Sequence, residues 1–279
     1  MKIAFRTHDL GAKGIDGVIS RARQFKIDAF QLVVYKFMDE VKQLPGSLTG
    51  EIAEGIGGAL KGAGISVPLI GAYFNPVHSD KQKVADCKAA FKDYLKYAKT
   101  LGANIVGSET GSFNDDKWTY NPLNRTEEAL QTVIGTFTEL ADCAAGYGVN
   151  IGMEGAAGHC CYCVKQLKRA VDGINRPNVR VIFDLYNYLD MSNYQNYMDI
   201  LDEGLATFAG RIVVFHMKDF VVADGKIKQV APGKGNFDYP AILRKIKAYD
   251  KDAVLVLEGT TGEDIVPAIE FVKTTWEQV

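Results

Sequence analysis

Several features that would place this chain in a narrow functional class are missing from it. No long uncharged apolar run occurs in its 279 residues, so no segment reads as a membrane span. The net charge is only -2 and no block of Lys and Arg stands out, so the electrostatic footprint of a nucleic-acid binder is absent. Cysteines number five, an odd count, and three of them crowd at Cys160, Cys161 and Cys163, which is no layout for a disulfide framework. His159 beside them raises the question of a metal site, but no partner C-x-x-C exists elsewhere, and consecutive cysteines do not readily share one tetrahedral ion. Reduced, partly packed thiols at the start of a helix are expected there. The opening Met1-Lys2-Ile3-Ala4-Phe5 reads as a strand rather than as a secretory signal, which points to the cytoplasm. No G-x-G-x-x-G follows that strand, which argues against a dinucleotide-binding sheet.

What the chain does contain is alternation. Eight short runs rich in Val, Ile and Phe read as buried parallel strands, near Ile3–Thr7, Ala29–Tyr35, Ser66–Tyr73, Asn104–Ser108, Asn150–Glu154, Arg180–Asp184, Arg211–His216 and Ala253–Glu258. Helix-length segments lie between them. In Lys83–Leu101 one face carries Val84, Cys87, Phe91, Tyr94, Leu95 and Ala98, and Thr126–Tyr147 and Ile265–Trp276 behave alike. Gly102, Gly146 and Gly148 sit where C-terminal glycines would stop two helices, and Asn124, three residues before Glu127, has the spacing of an N-cap. With no Pro/Ser-rich linker, eight strand-then-helix units predict a single (β/α)8 barrel domain over residues 1–279, an α/β fold.

Four of the runs end in a residue that can hold a divalent metal. NIGMEG ends at Glu154, VRVIFD at Asp184, RIVVFH at His216 and AVLVLE at Glu258. Side chains alternate along a strand, so Glu258 shares its face with Val254 and Val256, His216 with Ile212, Val214 and Lys218, Asp184 with Ile182, and Glu154 with Gly152. All four can therefore stand above modest interior residues at the carboxyl ends of strands five to eight, where barrels keep their chemistry. A carboxylate past a strand is often a helix cap and a lone His often a packing residue, but four such residues at equivalent positions of consecutive strands make those explanations poor.

Three carboxylates with one imidazole suit one divalent ion, with the oxygen bias favouring Mn²⁺ over Mg²⁺, Co²⁺ or Zn²⁺. Arg6 and His8 share parity with Ala4 and become candidate substrate contacts, as does Lys218, for which a salt bridge to a carboxylate is the competing role. Glu109 in G-S-E-T-G is placed to bond a substrate hydroxyl or a metal ligand, or to cap a helix. The glycine-rich P-G-K-G-N around Lys234 has amides suited to an anion, or is an ordinary turn. Loop aromatics Phe74, Trp118 and Tyr120 suit stacking on a substrate, packing or a contact between subunits of a homo-oligomer.

The motifs Asp184-Leu185-Tyr186-Asn187, His216-Met217-Lys218-Asp219, Gly233-Lys234-Gly235-Asn236-Phe237-Asp238 and Leu257-Glu258-Gly259, with a Glu after the fifth strand, resemble the xylose-isomerase-like barrel superfamily. Within it the chain looks most like the sugar phosphate isomerase/epimerase branch, which includes ketose 3-epimerases. The resemblance implies a (β/α)8 fold, one divalent ion held by Glu154, Asp184, His216 and Glu258, and the two glutamates as acid and base in proton transfer through an enediolate. It also implies a small sugar or sugar phosphate as substrate, and Asn187 as a contact to it. Two positions depart from the ketose 3-epimerases: Asn187 stands where they commonly carry His, and Val221-Val222 where they tend to have Arg. A DNA-repair endonuclease on the same barrel needs more His ligands than this chain's four His residues supply, and a basic surface. A dehydratase of a cyclic polyol ketone, or an isomerase of small hydroxy-keto acids, would use the same four ligands. A catalytically inactive sugar-binding barrel would not need two proton-transfer carboxylates.

Overall fold

The buried Val/Ile/Phe runs find partners on both edges in the only arrangement that leaves none of them open. In the computed structural model, which describes residues 1–279, strands β1 (Lys2–Arg6), β2 (Ala29–Leu32), β3 (Ser66–Gly71), β4 (Ile105–Glu109), β5 (Asn150–Glu154), β6 (Val179–Asp184), β7 (Ile212–Met217) and β10 (Val254–Leu257) close into a barrel. Every neighbouring pair is parallel. Helices α1 (Gly14–Phe25), α2 (Val34–Phe37), α3 (Gly50–Gly62), α4 (Lys81–Tyr97), α5 (Glu127–Tyr147), α6 (Val164–Ile174), α7 (Tyr197–Thr207), α8 (Tyr239–Tyr249) and α9 (Ile265–Gln278) connect the strands. This is the (β/α)8 fold expected from the alternation. No helix is long and apolar enough to cross a membrane.

Strand parity sorts the core into two layers. Ala4, Ala29, Leu69, Ile105, Ile182, Val214 and Val256 fill the barrel interior, whereas Phe215, Leu255 and Leu257 join the larger layer beneath the helices. The interior is narrow. A Cβ on Gly107 would lie 2.5 Å from Ile182 Cδ1, and one on Gly152 would lie 3.0 Å from it, so these two strands have no room for a side chain at that level. Glu154, two residues beyond Gly152, therefore stands directly above a tightly filled layer.

Several element ends differ from those read in the sequence. β2 stops at Leu32 and the chain turns into α2, while β3 stops at Gly71, where a Cβ would lie 2.6 Å from the Tyr73 ring folded back over it. β1 ends at Arg6, and Thr7–Leu10 forms a 3-10 turn, so His8 does not continue the strand alternation. Asn124 is not the cap of α5: Thr126 Oγ1 accepts from the Ala129 amide at 3.2 Å instead. Asn124 is buried, donating to Gly158 O (2.7 Å) and accepting from the Phe113 amide (2.9 Å), which ties the loop after β4 to the loop after β5. Gly148 ends α5 in the left-handed conformation (φ 62°) and Gly146 lies inside that helix. An antiparallel hairpin, β8 (Asp219–Ala223) and β9 (Lys226–Val230), projects after β7. Its two-residue loop, Asp224-Gly225, has positive φ at both positions, as the right-handed strand twist requires.

Candidate metal centre

Glu154 and Asp184 are the last residues of β5 and β6, His216 is the penultimate residue of β7, and Glu258 follows β10 directly. Parallel register puts Asp184 beside His216. The result is a cluster in which one ligand atom from each of the four lies within 4.8 Å of the others. His216 Nδ1 is 2.7 Å from Glu258 Oε2, 3.2 Å from Glu154 Oε1 and 3.7 Å from Asp184 Oδ2. Glu154, Asp184 and His216 are buried, and Glu258 sits at the rim with its side chain 12% exposed.

So many buried acids need compensation. Lys218 Nζ is 2.7 Å from Asp184 Oδ2 and 2.8 Å from Glu258 Oε1, and Arg6 Nη1 donates to Glu258 Oε1 at 2.8 Å while its other nitrogens grip Asp9. Burial alone would raise Glu258, but Lys218, His216 and Arg6 outweigh it and hold this carboxyl well below its usual range. Glu154 has no such cation beside it, and burial raises it despite His216. Burial would lower His216, yet Glu154 and Glu258 hold it well above the ordinary imidazole value. Four carboxylates (Glu154, Asp184, Glu258 and Asp9) thus face two permanent cations and the His216 imidazole at the mouth. Three oxygen donors and one nitrogen donor fit a divalent ion.

The remaining predicted contacts fall in two groups. Asn187 bridges the cluster: its amide donates to Glu154 Oε1 (2.8 Å), its carbonyl accepts from Lys218 Nζ (3.0 Å), and its backbone N–H donates to Asp184 Oδ1 (3.1 Å). Glu109 pairs across the ladder with Glu154, and burial together with Glu154 and Glu258 holds its carboxyl well above the usual range. His8 lies 3.8 Å from Asp9 with a buried Nδ1 that has no partner, and burial and Arg6 lower it.

Lys234 belongs to the second group, because it is exposed and pairs with Asp264 rather than joining the cluster. The glycine-rich loop around it is no open anion cradle. Asp219 fills it, accepting from the amides of Gly233 (3.1 Å), Gly235 (3.0 Å), Phe237 (3.1 Å) and Phe220 (2.8 Å).

The three crowded cysteines are free; Cys160 and Cys161 are buried, and Cys163 caps the start of α6. Burial pushes the Cys160 thiol up to about 12, so it stays protonated and apolar in character. His159 packs edge-on against Trp118 with ring centroids 5.5 Å apart, and burial lowers its imidazole to about 4.

One pair of residues escaped the sequence reading. Gln31, buried on the interior face of β2 beyond Ala29, reaches across the barrel so that its Oε1 lies 2.8 Å from His216 Nε2, and its amide donates to the Tyr73 hydroxyl. The available signal was a lone amide inside the apolar run Ala29-Phe30-Gln31-Leu32.

The model of the family described as Xylose isomerase-like TIM barrel matches residues 19–275. The inosose isomerase of Bacillus velezensis is 28% identical over 221 residues, covering 74% of this chain and 70% of that protein. The chain spans 61 to 74% of the length of the curated relatives it matches. Among solved structures, a D-tagatose 3-epimerase-like protein superposes with TM-score 0.78 at 19% identity, covering 100% of this chain and 98% of the other. The IOLI protein with a bound zinc atom superposes with TM-score 0.72 at 20% identity, covering 99% and 96%. At these identities the two structures show the same fold.

Proposed function

The chain belongs to the xylose isomerase-like TIM barrel family, and from that premise we propose that it is a divalent-metal-dependent isomerase or epimerase of a ketose or cyclic polyol ketone, with residues 1–279 working as one domain. The observation that carries this reading is the cluster of Glu154, Asp184, His216 and Glu258 at one barrel mouth, with two glutamates among four mutually adjacent donors. These four residues would hold the ion, with Mn²⁺ expected from the donor set and zinc present in a structure of the same fold. When bound, the ion supplies Lewis acidity to the carbonyl and neighbouring hydroxyl oxygens of an α-hydroxy ketone.

The protein's own groups then handle the proton. Moving stereochemistry or a carbonyl along a sugar requires one carboxylate to take a proton from the carbon beside the carbonyl, and a second group to return one to the enediolate. Glu258, held ionised by Lys218 and Arg6, is suited to the first role, and Glu154, raised by burial, to the second. Asn187 and Lys218 hold the carboxylates in place and present an amide and an ammonium to substrate oxygens. Glu109, its carboxyl raised by burial and the neighbouring glutamates, is suited to bond a substrate hydroxyl from the neighbouring strand. A groove of about 400 Å³ lies beside Tyr186 and Asn187, the latter bonded to Glu154, and is bordered by Met191 and by Lys226 and Ile227 of the hairpin.

A free rather than phosphorylated substrate is favoured by the fate of the cations. Arg6 and Lys218 are each shared between two carboxylates, Lys234 faces Asp264, and the amides of the glycine-rich loop belong to Asp219. A panel of ketoses, ketose phosphates and cyclic polyol ketones, incubated in deuterated water with Mn²⁺, tests the reading by NMR. Deuterium at a single carbon of an unphosphorylated ketone is expected. Loss of water from the substrate would instead identify a dehydratase, and absence of exchange into every compound would refute the proposed activity.

A further inference from the structure

We propose that Gln31 is a positioning residue that holds the proton of His216 on Nε2 and so presents Nδ1 to the metal; this rests on the reading of His216 as a ligand. The interaction is unusual in its reach. Gln31 on β2 and His216 on β7 are 185 residues apart, on strands that do not pair, and meet only because both point into the barrel. Gln31 is fully buried and His216 nearly so, so water does not substitute for either partner.

A neutral imidazole has one donor and one acceptor nitrogen, and the partner of one fixes the role of the other. With Gln31 Oε1 at 2.8 Å from Nε2, a proton sits on Nε2, and Nδ1 is the nitrogen that faces Glu154 and Glu258 at 3.2 and 2.7 Å. A cation bound there would take the place of any proton on Nδ1, while the Nε2 proton stays with Gln31. If the Gln31 amide were reversed, its NH2 would donate to Nε2 and drive the proton to Nδ1, where it would bond a carboxylate and block coordination.

Tyr73 opposes that reversal. Its hydroxyl accepts from the Gln31 amide, and its surroundings include Glu109, Glu154 and Glu258. A hydroxyl that accepts in this way favours the NH2 of Gln31 toward Tyr73 and its carbonyl toward His216. The ring itself is held over Gly71, whose missing Cβ makes the space, and the Gln43 amide donates to the Tyr73 carbonyl. Tyr73, Gln31 and His216 thus form a relay by which the β2–β3 side of the mouth, which provides none of the four ligands, sets the chemistry of one of them. Second-layer partners of metal-bound histidines typically change metal affinity by roughly 10- to 100-fold when removed.

The test measures Mn²⁺ affinity by calorimetry, and the His216 Nε2–H signal in ¹⁵N-labelled protein with and without diamagnetic Zn²⁺, for wild type, Gln31→Leu, Gln31→Glu and Tyr73→Phe. Wild type is expected to show a slowly exchanging Nε2–H in both states. Gln31→Leu should lose that signal and bind Mn²⁺ roughly 10- to 100-fold more weakly, while Gln31→Glu, which keeps an acceptor, should retain the signal. Tyr73→Phe preserves shape and is expected to weaken binding by a smaller factor, which keeps the test valid if Gln31→Leu does not fold. An unchanged Nε2–H signal and unchanged affinity in Gln31→Leu, or in Tyr73→Phe should Gln31→Leu not fold, would overturn the proposal. If the signal responds as expected but no variant binds metal, the positioning role stands and the metal reading fails.

Discussion

Replacing Lys218 by Met removes the cation that Asp184 and Glu258 share at 2.7 and 2.8 Å. The Lys218 side chain is 4% exposed, so the two carboxylates left behind lose a partner in a place where water does not readily take over. Breaking a buried ion pair from one side typically costs about 3–5 kcal/mol. At about 2 °C per kcal/mol for a chain of this size, the melting temperature in chelator should fall by roughly 6–10 °C. The effect on metal binding has the opposite sign. A unit positive charge a few ångström from a dication, at an effective dielectric of about 20, repels it by several kcal/mol. A tenfold change in affinity takes only about 1.4 kcal/mol, so Lys218→Met should bind Mn²⁺ at least ~10-fold more tightly than wild type. Saturating Mn²⁺ should therefore narrow the gap in melting temperature between the two proteins. Scanning calorimetry with and without Mn²⁺, paired with titration calorimetry, reads both effects. A variant as stable as wild type in chelator, with weaker Mn²⁺ binding, would show that Lys218 does not compensate these carboxylates.

Other consequences can be measured separately. Mn²⁺ at roughly a hundred times its Kd should stabilise wild type by about 2.7 kcal/mol, with chelator reversing the gain in a thermal melt. His159, lowered to about 4 by burial, is protonated first in the unfolded chain; its contribution is therefore complete above about pH 6.5 and is lost as pH falls toward 4. That amounts to about 3 kcal/mol, seen as a slope in urea-derived stability across this window that His159→Gln removes. Gly107→Ala places a methyl 2.5 Å from Ile182 Cδ1 inside the barrel, and chemical denaturation should register a loss of about 1–3 kcal/mol.

The barrel and the meeting of Glu154, Asp184, His216 and Glu258 at one mouth were legible because both rest on local pattern. Alternation along β5, β6, β7 and β10 depends on the pleat alone, and Ile182, Val214 and Val256 lie inside as that alternation requires. What was not legible depends on where other segments arrive. His8 looked like a continuation of β1 until the 3-10 turn removed it from register. Asn124 has cap spacing, but its side chain is drawn inward by Gly158 and Phe113, which only the folded loops bring near. The glycines around Lys234 do free their amides, and Asp219, paired with Val230 at the base of the hairpin, takes them before any ligand does. Gln31 meets His216 across the full width of the barrel, a contact to which no spacing in the chain points. The hairpin is the exception, since Asp224-Gly225 directly after the apolar Val221-Val222-Ala223 is a local turn signal.

Equilibrium dialysis against Mn²⁺ bears most directly on the claim that Glu154, Asp184, His216 and Glu258 form one metal centre. Wild type should bind one ion per chain, and the double variant Asp184→Ala/His216→Ala, still folded by circular dichroism, should bind none at the same free Mn²⁺. No binding by wild type, or equal binding by the double variant, would contradict the account.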